Sequence, residues 1–176
     1  KRKINERWVL TSMTSQIKSH EFEKTFQAWL HANEAFYNQN LTFPEIRRAL
    51  QALSTRYIQK RDKVHGHDKM GLGHQAAFSL FYGTLHGLIV AETFAKLAPA
   101  LVLPIGAKIL DLGCGNGICG AVWAALTPSP GPIHGIERQK WAVAATRQTY
   151  RQMGLKGLTT TGSFLKSNWP KADAIL

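Results

Sequence analysis

Apolar positions in the first part of the chain recur at helical spacing. Phe22, Phe26, Trp29, Leu30, Phe36 and Tyr37 fall within about a third of a helical wheel, which predicts a helix after Ser19 with one core-facing stripe. Asn33 interrupts that stripe and, if buried, needs a hydrogen-bond partner. Asn38-Gln39-Asn40 ends the helix and Thr42 opens a second one. Glu45, three residues on, completes a capping box, and Pro44 is tolerated in the first turn. Ile46, Ala49, Leu50, Leu53 and Tyr57 form the predicted buried face of this second helix. A glycine-containing loop over residues 65–73 leads into a third, over residues 75–97. That helix is apolar nearly all round (Phe78, Leu80, Phe81, Leu85, Leu88, Ile89, Phe94), which predicts a central, buried element. Gly83, Gly87, Ala91 and Ala95 recur along it every four residues and allow another element to approach closely.

Pro99 and Pro104 mark a change of pattern. Residues 108–112, 133–137, 158–161 and 172–176 read as short strands, with helical segments over 118–126 and 139–153 between them. Strand and helix alternating at this spacing predict βαβ units and a parallel sheet; the order 3-2-1-4 is what the resemblance given below implies for these four strands. The expected architecture is therefore α/β, with a helical region over 1–98 and part of a Rossmann-like sheet domain over 99–176. Four strands ending in Asp173-Ala174-Ile175-Leu176 would leave a bare apolar edge, so the chain is expected to continue beyond them.

Composition narrows the partner class. The 176 residues carry 22 lysines and arginines against 11 acids, a net charge of +11, with 44% hydrophobic residues. Such a chain buries a core and favours polyanions, of which nucleic acid is the commonest. No apolar run is long enough for a membrane helix. Cys114 and Cys119 make no disulfide scaffold and suit a reducing compartment, either cytoplasm or the mitochondrial matrix of a eukaryote.

The segment carrying most chemistry is Ile109-Leu110-Asp111-Leu112-Gly113-Cys114-Gly115-Asn116-Gly117-Ile118-Cys119-Gly120, a strand running into a glycine-rich turn and a helix start. Gly115-x-Gly117-x-x-Gly120, with Glu137 after the next strand, matches a dinucleotide fingerprint. Asp111 argues against that ligand. A carboxylate beside the turn would repel a pyrophosphate, whereas it would attract the ammonium and sulfonium groups of S-adenosylmethionine. Glu137 has two oxygens at the spacing of a ribose diol. Asp-x-Gly-x-Gly-x-Gly after a strand, with an acid closing the next strand, resembles the class I S-adenosylmethionine-dependent methyltransferases. The cofactor-binding set expected on this basis is Asp111, Gly113, Cys114, Gly115, Asn116, Gly117 and Glu137, with Cys114 as a small lining residue.

A narrower resemblance is to the methyltransferase-like proteins of the small ribosomal subunit, found in mitochondria and bacteria. It is carried by Leu53-Ser54-Thr55-Arg56-Tyr57, by the apolar helix directly before the sheet, and by Leu110-Asp111-Leu112-Gly113-Cys114-Gly115-Asn116-Gly117. It implies ribosomal RNA or the small subunit as partner, in assembly or translation. Two functions stay open, an RNA methyltransferase and an assembly factor that keeps the pocket without catalysis. The chain departs from that family where it has Leu80-Phe81-Tyr82-Gly83 in place of an Arg-x-Pro element, and the family's metal-binding cysteines would lie past residue 176.

The remaining candidates are cations, histidines and aromatics. Arg47, Arg48, Arg56 and Lys63 avoid the apolar face of the second helix. Lys140, Arg147 and Arg151 share one stripe at i, i+7 and i+11, with few acids interleaved, and are candidates for phosphate contacts; Lys1-Arg2-Lys3 adds a basic tip. Trp8, Trp29, Trp141 and Trp169 are candidates for stacking on bases or for the core. His65, His67 and His74 cluster around glycines but read as a polar loop, and C-x4-C is no zinc ligand set, so no metal site is expected. No catalytic residue, methyl acceptor or oligomeric state is read from the sequence.

Overall fold

The structure, a computed structural model, describes the backbone of residues 2–59, 70–98, 100–163, 165 and 169–176, and side chains within these from residue 20 onward, residue 59 excepted. Helix α1 (Arg2–Asn38) and helix α2 (Phe43–Gln59) precede a continuous helical rod. The rod consists of α3 (Leu72–Ala77), a π-helical turn (Phe78–Gly83) and α4 (Thr84–Leu97). The βαβ part follows as β1 (Ile109–Leu112), α5 (Ile118–Leu126), β2 (Ile133–Glu137), α6 (Lys140–Gln152), β3 (Gly157–Thr161) and β4 (Ala174–Ile175). All pairings are parallel and the order is β3-β2-β1-β4. The fold is thus the α/β arrangement expected from the alternation of patterns.

The apolar stripe of α1 docks on the sheet domain. Phe26 and Trp29 are buried with Ile109 and Ile133 of the strands, Ile118 and Val122 of α5, and Tyr150 of α6. Asn33 does not disturb the stripe, because its Nδ2 donates to the Trp29 carbonyl one turn back at 2.8 Å. Phe36, expected on the stripe, is instead about half exposed, while its neighbour Tyr37 is buried and bonded to Ser79. At the start of α2 the capping box forms, with Glu45 accepting from both the N–H and the hydroxyl of Thr42 at 2.8 and 2.7 Å.

The rod over 72–97 corrects one expectation. Four of its large apolar residues are not central: Phe81, Leu85, Leu88 and Ile89 are each roughly half exposed, whereas Phe94 is buried as expected. The buried side carries Ala76, Ala77, Ser79, Gly83 and Gly87, with Phe94 further along; Ala95, at the end of the expected stripe, is exposed. A Cβ at Gly83 would strike the Asn116 amide, and one at Gly87 would strike Phe26 and Ile118. These side chains reach the backbone of the rod only where it carries none of its own, so Gly83 and Gly87 set where Asn116, Phe26 and Ile118 pack.

Candidate cofactor site

The glycine-rich turn joins β1 to α5. Gly113, Gly115 and Gly117 have φ of +71°, +57° and +79°, left-handed conformations that glycine adopts without steric cost. The turn is tied to β2, where the N–H groups of Gly113 and Cys114 donate to the Ile136 carbonyl at 2.8 and 3.2 Å. It is tied to α6 by the Thr146 hydroxyl, which lies 2.9 Å from the Gly115 carbonyl. Asn116 Oδ1 accepts from the Ile118 N–H at 3.4 Å at the start of α5.

Beside this turn lies a cavity of about 280 Å³. Gly113 and Gly115 form one side; Ile136, Glu137, Arg138 and Gln139 follow from the end of β2, with Trp141 and Ala142 from α6. Gly162, Ser163 and Leu165 close it beyond β3. The helical region supplies the remaining wall through Tyr57, Met70 and Phe78. Two atoms of the Phe78 ring lie 3.4 Å from where a Gly115 Cβ would stand, so this ring covers the turn. Trp141 meets Phe78 edge-on at 5.7 Å, and its indole N–H donates to Gln139 Oε1 at 2.6 Å.

Glu137 is the carboxylate on the wall. Its Oε1 accepts from the N–H groups of Arg138 and Gln139 at 2.8 and 2.9 Å, and its Oε2 from Gly115 at a longer 3.3 Å. The short bonds hold the carboxylate at the start of α6. The long one is the contact a hydroxyl donor displaces most readily.

The remaining residues of the expected cofactor set lie elsewhere. Among the described residues, Asp111, Cys114, Asn116 and Gly117 are not on the cavity wall. Asp111 is 4% exposed and lies beneath the turn, facing Gly120 and Tyr150. Asp111 therefore does not touch a ligand in the cavity directly. Alternation along β1 turns this side chain toward α5 and α6 rather than toward the opening. Cys114 is likewise buried, with Sγ 3.3 Å from the Thr146 hydroxyl, so it supports the turn from below and does not line the pocket. Burial pushes its thiol up to about 12, and that of Cys119 to about 11, so both stay protonated at neutral pH. Among the described residues no cluster of three metal-ligating side chains exists. His65, His67 and Lys63, and the side chains of Lys1, Arg2, Lys3 and Trp8, lie outside the described residues.

Burial drives the Asp111 carboxyl up to about 7; the Gly120 N–H opposes the shift and the nearby Glu137 adds to it. An acid whose folded pKa exceeds its unfolded value favours folding while protonated and loses that contribution as pH rises from about 4 to about 7. Asp111→Asn is therefore expected to gain stability relative to wild type as pH rises. Thermal melts at pH 5 and pH 8 check this, and a pH-independent difference between the two proteins would refute it.

The sequence flagged Gly113, Gly115 and Glu137 of the wall but missed Tyr57, Met70, Phe78, Arg138, Gln139, Trp141 and the residues after β3 as lining. Tyr57 and Phe78 carried only a helical-face signal, and nothing local says that such a face looks into a pocket made by a different part of the chain.

Comparison with known proteins finds three similarities. Residues 91–176 match the family described as the methyltransferase small domain. The chain is 39% identical over 61 residues to "Ribosomal RNA small subunit methyltransferase C" of Chromohalobacter salexigens, a match spanning 35% of this chain and 17% of that protein. It is also similar to the crystal structure of the O-methyltransferase from Bacillus cereus in complex with SAH. That similarity has 16% identity and a TM-score of 0.35, over 85% of this chain and 61% of the other. The residues present fit a nucleoside cofactor such as S-adenosylmethionine. A carboxylate with one weakly held oxygen stands beside glycines that leave the turn open, in a space of nucleoside size. Residues 91–176, just under half of the chain, are thus similar to the family described as the methyltransferase small domain.

Proposed function

We propose that the chain binds S-adenosylmethionine between Gly113, Gly115 and Glu137 and transfers its methyl group to RNA of the small ribosomal subunit, in the cytoplasm or, in a eukaryote, the mitochondrial matrix. The observation that carries this reading is the single cavity in which the glycine turn and the Glu137 carboxylate meet. When bound, the cofactor supplies an electrophilic methyl group. Glu137 accepts from the two ribose hydroxyls, giving up its 3.3 Å bond to Gly115. The glycines of the turn carry no side chains and so let the amino-acid end come close to the backbone. The aromatic wall of Phe78 and Trp141 limits water at the reacting centre. Such positioning is the main thing methyl transfer asks of a protein. Asp111, Cys114, Asn116 and Gly117 serve by holding the turn in shape.

The RNA assignment rests on charge and on the rRNA relative. On α6, Lys140, Ala144, Arg147 and Arg151 form one exposed face without an acid, beginning next to Arg138 and Gln139 at the cavity. From Lys140 to Arg151 the helix rises about 16 Å, enough for several phosphates of a strand. Arg147 is oriented by its Nε–H, which donates to Thr159 Oγ1 on β3 at 2.7 Å. Arg47 and Arg48 are exposed on α2, whereas Arg56 is partly buried and partnered.

A second reading, a ribosome-assembly factor that keeps the pocket and transfers nothing, is favoured by one observation. Among the described residues the wall carries no carboxylate or histidine besides Glu137, whose oxygens accept backbone N–H groups. Transfer of radiolabelled methyl from S-adenosylmethionine into small-subunit RNA separates the two. Replacing Lys140, Arg147 and Arg151 together by alanine is expected to weaken RNA binding. It should also flatten the plot of log affinity against log salt by about 2 for a single strand. An unchanged slope removes α6 from the interface.

A further inference from the structure

We infer that Thr146 of α6 is a positioning residue for the cofactor, holding Gly115 in place once Glu137 has exchanged its bond to that glycine for the ribose diol. This rests on the cofactor binding proposed above. Gly115 lines the cavity with φ of +57°. Its backbone is held on both sides by side chains. The N–H donates to Glu137 Oε2 at 3.3 Å, and the carbonyl accepts from the Thr146 hydroxyl at 2.9 Å. Among the described residues no other donor reaches that carbonyl. A diol on Glu137 displaces the first of these bonds, the longer one, and leaves the second. Glycine populates left- and right-handed conformations about equally. A Gly115 held by neither side chain is therefore free to leave the conformation that shapes this wall.

The surroundings of Thr146 fix the direction of its hydroxyl. The side chain is fully buried on the inner side of α6, while its neighbour Arg147 is exposed on the outer side. The oxygen also lies 2.9 Å from the Ala142 carbonyl, which stands one turn back inside the helix ladder. Gly115 has no such alternative, so the one hydroxyl proton stabilises most when it goes there. The Thr146 oxygen then accepts from the Cys114 thiol at 3.3 Å, which burial keeps protonated. The methyl group packs on Gly117, where a Cβ would stand 2.6 Å from Thr146 Cγ2. One side chain thus sets Cys114, Gly115 and Gly117 against α6, donating to one, accepting from another and packing on the third.

Titration calorimetry with S-adenosylmethionine on the full chain, beside thermal melts without ligand, tests this with Thr146→Ser, Thr146→Ala and Thr146→Val. Serine and alanine both lose the methyl contact on Gly117 and differ from each other only in the hydroxyl. Valine keeps a methyl there and lacks the hydroxyl. Affinity reports the difference between bound and free protein, so a bond of equal strength in both states lowers the melt and leaves affinity unchanged. Thr146→Ser is expected to bind within about twofold of wild type, although it melts lower. Thr146→Ala and Thr146→Val are expected to bind about three- to tenfold more weakly than Thr146→Ser, the range for one neutral hydrogen bond. Equal affinity with and without the hydroxyl, whether at the wild-type level or below it, would overturn the inference while the cofactor assignment stands. If wild type itself binds no S-adenosylmethionine, that assignment falls first, and the inference with it.

Discussion

Trp29→Ala is expected to cost about 3–5 kcal/mol of folding free energy, the range for deleting a large buried aromatic. Trp29 is fully buried, and it is the residue through which α1 grips the sheet domain. Its ring lies 5.5 Å from that of Phe26, and its indole N–H donates to Thr149 Oγ1 on α6 at 3.1 Å. Alanine leaves a cavity among Ile118, Val122 and Tyr150 and also strips Thr149 of its partner. For a chain of this length, about 2–4 °C of melting temperature accompanies each kcal/mol, so a drop of about 10 °C is expected in a thermal melt. Trp29→Phe should recover most of the packing while still lacking the hydrogen bond. A melt within about 2 °C of wild type for the alanine variant would show that α1 is not docked as described.

The second large effect is on ligand binding. Glu137→Ala removes the acceptor for the ribose diol and also leaves the N–H groups of Gly115, Arg138 and Gln139 without their partner. Hydrogen bonds to a charged acceptor are worth about 1.5–3 kcal/mol, so affinity for S-adenosylmethionine is expected to fall about ten- to hundredfold by calorimetry. Glu137→Gln retains an acceptor oxygen but not the charge, and should fall between the two. Some stability should also be lost, because the three N–H groups lose their acceptor, and melts of the two variants separate that loss from the loss of affinity. Wild-type affinity in the alanine variant would mean that the diol is held elsewhere and that the turn and β2 do not act as one site.

Much of the fold is legible in the chain because it is written in local terms. The alternation of short apolar runs with helical segments after Pro104 implied a parallel sheet, the class I resemblance implied the order 3-2-1-4, and that order is observed. Thr42 and Glu45 announced a helix start that forms as a capping box. The glycine spacing announced a turn, and three of its glycines take positive φ. Misreadings arose where a residue's surroundings come from elsewhere in the chain. The rod over 72–97 has large apolar residues on several sides, and no local rule says which side a distant helix covers. The stripe of Gly83 and Gly87 decided it, because only there can Asn116, Phe26 and Ile118 come close. Asp111 shows the same limit. Its identity suggested a ligand for a cation, but the direction of its side chain depends on α5 and α6 lying above that face of β1.

Residue order alone determined the α/β architecture, the turn and the acid that closes β2, since each depends on backbone preference and spacing within a few residues. Only the tertiary structure decided what surrounds the cofactor. The wall of Tyr57, Phe78 and Trp141 joins segments separated by up to some eighty positions, and the carboxylate nearest the glycines in sequence is turned away beneath them. Spacing reports which groups share an element. Which face of that element is sealed and which stays open to a ligand is settled by packing between elements remote in the chain.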